Sequence, residues 1–143
     1  MVVVPEDVRK TFEKHRIIPM ATADPSGKPN VILVGMWWWE DDETLVVVNN
    51  FLNKTLANVE ANPQVAFVGR DSEDRKCFQI KCNAEIRDEG PLYEKGHEMA
   101  TGRERPLPGK AVVVLKVEEV YQAQGGAGAA AGAAEITYTH AGY

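Results

Sequence analysis

Residues 17–39 read IIPMATADPSGKPNVILVGMWWW, two β-rich segments on either side of a Pro-Ser-Gly turn. Residues 17–23 and 29–39 are dense in apolar, β-branched and aromatic side chains, and DPSGK (24–28) supplies turn residues, so the stretch predicts a β-hairpin. A hairpin is an antiparallel unit, whereas parallel neighbours need a long crossover. The rest of the chain keeps to that choice. After the charged turn EDDE (40–43), TLVVVNN (44–50) predicts a third strand, QVAFVGR (64–70) a fourth, CFQIKCNAEIR (77–87) a fifth and KAVVVLKVEEVY (110–121) a sixth.

Helical patterns are short. Pro5-Glu6-Asp7 opens an amphipathic stretch whose Val8 and Phe12 stand four apart, with acids at its start and bases at its end. NKTLANVEAN (53–62) has helical spacing and stops at Asn62-Pro63. PLYEKGHEMA (91–100) begins on proline and carries Gly96, a costly residue in mid-helix. Six strands with short turns and only short helices predict a mainly β, antiparallel barrel, closed or nearly closed. The tract GGAGAAAGAA (125–134) offers too little apolar surface to order itself. Residues 1–121 are therefore expected to form one domain and residues 122–143 a flexible tail.

At 143 residues the chain is long enough for one core. Its formal charge of −5 and pI near 5.2 disfavour general nucleic-acid binding, which calls for a basic surface. An acidic protein that holds a phosphate must do so with a local device. The longest uncharged, mostly apolar run, Val31–Trp39, falls far short of the roughly 20 residues that span a bilayer. MVVVPEDVRK lacks the basic and apolar regions of a secretory signal, so a cytoplasmic location is expected. Cys77 and Cys82 stand five apart on one strand, hence on opposite faces, which argues against a bridge between them.

Lys54-Thr55 is the leading candidate for binding chemistry. The first turn of a helix has free N–H groups and a partial positive charge, to which a lysine and a hydroxyl add a cation and a further donor. FLNKT lacks the glycines of a Walker motif. The plainer alternative is that Asn53 caps a surface helix and Lys54 sits in water. Asn49 and Asn50, ending the third strand, are either loop residues or amides that face a ligand. Gly35, inside a strand pattern, marks close approach of a ligand or another backbone. Trp37 and Trp39 share one strand face and Trp38 takes the other, so at least one is expected to cover a partner subunit or a flat ligand. His15, His97 and His140 show no metal-ligand spacing, and no metal is predicted.

Taken together, these residues resemble the pyridoxamine 5′-phosphate oxidase-like family of FMN-binding split barrels, above all its small FMN-binding members. The likeness covers residues 12–121 and runs through IIPMATADPSGKPNV, VVVNNFLNKTLANVEANPQVAFV, FQIKCNAEIRDEGPLYEK and AVVVLKVEEVY. It implies a six-stranded antiparallel split β-barrel with short peripheral helices, and a homodimer with FMN in clefts at the interface. It further implies that Lys54 and Thr55 hold the FMN phosphate. The isoalloxazine would meet Ala21, Thr22, Leu33, Val34, Gly35, Val48, Asn49 and Asn50. Full oxidases of the family also carry basic residues near the C-terminus for a substrate phosphate. Here that region is a Gly/Ala tract followed by EITYTHAGY, so vitamin B6 oxidation is not implied. What is implied is a flavin-dependent oxidoreductase acting on a small molecule, with a small-molecule or redox-protein electron donor. The alternative is a flavin electron carrier or FMN store.

Overall fold

The computed structural model describes residues 2–123 and 136–138. Its elements in chain order are α1 (Glu6–Lys14), β1 (Ile18–Ala23), β2 (Pro29–Val34), β3 (Trp37–Asp41), β4 (Thr44–Asn49), α2 (Lys54–Ala61), β5 (Gln64–Asp71), β6 (Lys76–Arg87), α3 (Pro91–Thr101), β7 (Ala111–Gln122) and β8 (Ile136–Tyr138). All strand pairs are antiparallel, in the order β2-β1-β5-β6-β7-β4-β3, with β8 added on β7. Of the expected tail only residues 122–123 and 136–138 are described: Gln122 ends β7 and Ile136–Tyr138 form β8.

The strand count departs from the expected six. Residues 29–39 form two strands, β2 and β3, which lie at opposite edges of the sheet and yet are joined by Gly35-Met36 alone. Three virtual bonds of 3.8 Å cannot carry the chain more than about 11 Å, so the two edges meet at this corner. The sheet therefore curls into a barrel. A continuous apolar run conceals the break because both strands are apolar on the faces they bury.

Two cores result. The barrel interior is filled by Val4, Val8, Phe12, Met20, Trp37, Leu45, Val47, Phe67, Ile80, Leu115 and their neighbours. A second, smaller core lies outside the wall, where α3 covers Val46, Val48, Val112 and Val114. Each β4 residue is buried, because one face meets the interior and the other meets α3. A strand covered on both sides reads as TLVVV rather than as an alternating pattern.

The tryptophans divide between these two cores. Trp37 is wholly buried in the barrel, Trp39 packs against the same core, and Trp38 packs beneath α3 with the Lys95 ammonium 4.6 Å from its ring centroid. The two cores take one ring fully and two in part: Trp37 is buried, while Trp38 and Trp39 stay half-buried on opposite faces of the strand. The cysteines fall on opposite faces of β6 and both are free, Cys82 in the interior and Cys77 half-buried.

The outer face of β1 and β2 has no helix over it. On β2 the alternation leaves Val31 and Leu33 65% and 69% exposed, and Ile17, just before β1, is 64% exposed. Register places Val31 opposite Ala21 and Leu33 opposite Pro19, so these residues form one apolar patch.

Candidate functional site

The start of α2 is uncapped. Asn53 adopts a non-helical backbone, but its side chain makes no capping hydrogen bond, and the first backbone bond runs from Ala57 N to Asn53 O at 3.0 Å. The amides of residues 54–56 precede that bond and point out of the helix end with its partial positive charge. Asn53 therefore does not cap the helix as the plainer alternative held. Lys54 is exposed at this point, and its ammonium joins no ion pair among the described residues.

A cleft of about 360 Å³ separates this helix start from the tip of the β1–β2 hairpin. Lys28 and Asn30 approach it from the hairpin, Lys54 and Asn58 from α2. Both asparagines are anchored from behind by threonines. Asn30 Nδ2 donates to Thr55 Oγ1 at 3.1 Å, and Asn58 Nδ2 donates to Thr22 Oγ1 at 3.0 Å. Thr55 is only 2% exposed, so it orients Asn30 from within the wall. Asp24 also lines the cleft. Its Oδ1 accepts from Ser26 Oγ at 2.6 Å and from the amides of Ser26 and Lys28, both at 2.9 Å. The Ser26 hydroxyl bond, followed by the Lys28 amide, holds the Asp24 carboxyl below its usual range.

A second cleft of about 240 Å³ opens farther along β2. It is bounded by Ile32, Leu33, Val34, Gly35 and Met36 on one side and by Val48, Asn50, Phe51 and Leu52 on the other. Asn30 in the first cleft and Ile32 in the second are two strand residues apart, about 7 Å. The two clefts are thus neighbours along one strand. Phe51, at 71% exposure, lines this cleft and is its one aromatic ring. Asn50 is fixed by its carbonyl, which accepts from Gly109 N at 2.9 Å, while its amide nitrogen has only Met36 Sδ at 3.6 Å. Asn49 is buried, and its Oδ1 accepts from Leu52 N at 3.0 Å.

Of the residues singled out from sequence, Leu33, Val34, Gly35, Val48 and Asn50 thus line one cleft and Lys54 lines the next, with Thr55 behind it. Ala21 and Thr22 border a third hollow of about 320 Å³ on the outer face of the sheet, beside Lys81 and Glu119. Asn49 faces none of the three. Sequence reasoning missed Lys28, Asn30, Asn58 and Phe51. A signal existed for three of them. Lys28 and Asn30 are two apart at a strand start, and Lys54 and Asn58 are four apart on a helix, so each pair shares a face. Among the described residues no three His, Cys, Asp or Glu side chains gather as a metal site would require, and no helix is long and apolar enough to cross a membrane.

Comparison with known proteins follows the same lines. Residues 4–124 match the family model described as pyridoxamine 5′-phosphate oxidase. An uncharacterized protein of Methanocaldococcus jannaschii is 32% identical over 123 residues, which cover 85% of this chain and 81% of that one. Among solved structures, HupZ of Group A Streptococcus superposes with a TM-score of 0.75 at 27% identity, over 86% of this chain and 96% of the other. An FMN-binding protein from Syntrophomonas wolfei superposes with a TM-score of 0.65 over 82% and 84% of the two chains. At 16% identity that likeness is one of fold.

Proposed function

Because the chain belongs to the pyridoxamine 5′-phosphate oxidase family, we propose that it binds FMN and uses it for redox chemistry on a small molecule. One observation carries this reading: a lysine-bearing cleft at an uncapped helix start adjoins an apolar cleft along the same strand. FMN has a phosphate at one end and a flat, largely apolar ring at the other, joined by a five-carbon chain that suits such a separation. When bound it supplies electron and hydride transfer, while the protein binds, orients and tunes it.

In this reading Lys54 and the first-turn amides of α2 hold the phosphate, with Thr55 positioning Asn30 beside it. Leu33, Val34, Gly35 and Val48 flank the ring. Between the two asparagines, Asn50 is the one assigned to its polar edge. The amide nitrogen of Asn50 is engaged only by a sulfur, whereas Asn49 is committed to the turn at Leu52. Ala21, with Ile17, Pro19, Val31 and Leu33, belongs to the apolar outer face, which we assign to a homodimer. A patch of this kind on a soluble domain marks an interaction surface.

A second reading, a flavin electron carrier or store, is favoured by the exposed lip of the ring cleft, where Phe51 stands in solvent. A visible spectrum before and after addition of FMN tests the cofactor: a flavin band that sharpens or shifts on binding is expected, and its absence defeats the proposal. Stopped-flow mixing of the loaded protein with NAD(P)H and small acceptors then separates the readings. Rapid bleaching and recolouring indicate an enzyme, and reduction only by a redox protein indicates a carrier.

A further inference from the structure

We propose that Lys28 is a second cation of the phosphate site, closing on a phosphate monoester from the hairpin side, opposite Lys54, with Asn30 and Asn58 as neutral donors between them. The inference rests on the FMN reading above and adds three ligands to it. Lys28 and Lys54 belong to different elements, a turn and a helix, and line one cleft. Neither ammonium takes part in an ion pair among the described residues. Against two lysines the cleft has one carboxylate, Asp24, so its lining is net positive in a chain of net charge −5. Three hydrogen bonds tie the Asp24 Oδ1 to its own turn, including one from the Lys28 amide, and so hold the Lys28 backbone at the rim of the cleft.

The amides point the same way. Each asparagine spends one N–H on a threonine oxygen, and each NH₂ group has a second N–H to offer. Thr22 and Thr55 are buried hydroxyls that fix those amides by accepting from them. Two cations and two oriented amides on opposite walls suit a doubly charged, acceptor-rich group better than they suit a neutral one. The device is local, as an acidic protein requires.

The experiment titrates the wild-type chain, Lys28→Gln, Lys28→Arg and Lys54→Gln with FMN and with riboflavin, followed by flavin fluorescence, and adds inorganic phosphate as a competitor. Lys28→Gln is expected to weaken FMN about tenfold and to leave riboflavin unchanged. Lys28→Arg is expected to retain FMN, and the difference is expected to shrink at high salt. If Lys28→Gln binds FMN as tightly as wild type while Lys54→Gln is weakened, the second cation is refuted and the FMN reading survives. Equal wild-type affinity for FMN and riboflavin refutes a phosphate grip but leaves a flavin site. A wild-type chain that binds neither flavin overturns both. Weakening by inorganic phosphate of FMN binding but not of riboflavin binding supports the proposal and shows that the site takes the group free as well as esterified.

Discussion

Gly96 of α3 lies against Val112 of β7 so closely that a Cβ on the glycine would stand 2.5 Å from Val112 Cγ1 and 3.2 Å from Val48 Cγ2. Val48 also lines the apolar cleft, so this contact joins the outer core to the site. From sequence, Gly96 is a defect in a helix. In the fold it is what lets the helix sit on the sheet.

Gly96→Ala should therefore destabilise the protein despite better helix propensity. The substitution gains at most about 1 kcal/mol from propensity, while overpacking costs about 1–3 kcal/mol. Urea unfolding should show a lower midpoint, whereas an unchanged or higher midpoint would mean that the helix shifts freely to make room.

Lys54→Ala should weaken FMN binding by about 1–3 kcal/mol, the scale of a charge-assisted hydrogen bond. Riboflavin, which lacks the phosphate, should bind the variant and the wild type alike. An unaltered FMN dissociation constant would place the phosphate elsewhere.

Leu33→Asp puts a charge in the middle of the apolar outer face, opposite Pro19 and beside Val31. The side chain is largely exposed within one chain, so the fold should tolerate the change while self-association should fail. Light scattering at micromolar concentration is expected to give a dimer for the wild type and a monomer for the variant; equal masses would refute this face as the interface.

The hairpin tip should respond to acid with a defined sign. Asp24 is held below its ordinary value of 3.8, first by the Ser26 hydroxyl and then by the Lys28 amide. A carboxylate depressed in the folded state stabilises its turn above that ordinary value, and the stabilisation fades as pH falls through the folded value. The Lys28 amide, which donates to Asp24 Oδ1, should thus keep its protection from hydrogen exchange at pH 3.8 and lose it only as the pH falls further, through the lower folded value. Asp24→Asn should remove that pH dependence. If wild type and variant exchange alike across this range, the Asp24 hydrogen bonds do not hold the turn.

Local chemistry was legible where a residue's role depends on its near neighbours. The DPSGK turn, the strand spanning 77–87, the proline start of α3 and the stop at Asn62-Pro63 could all be read directly, because turn preferences and side-chain alternation act over a few residues. Lys54 at a helix start was likewise readable. The break at Gly35-Met36 was not, since an apolar run looks the same whether it is one strand or two that bury different faces. The cover over Trp38 was hidden too, because it comes from α3, more than fifty residues later in the chain.

By itself, then, the sequence determined the antiparallel β character, the short helices, the acidic surface and the presence of a lysine at a helix end. Tertiary structure alone decided that the two outermost strands meet at a corner, that β4 is covered on both sides, and that Lys28 and Asn30 face Lys54 and Asn58 across a cleft. The reason is physical: secondary structure follows from preferences over a few residues, whereas a site between two elements exists only once long-range strand pairing has curled the sheet and brought a hairpin tip to a helix start.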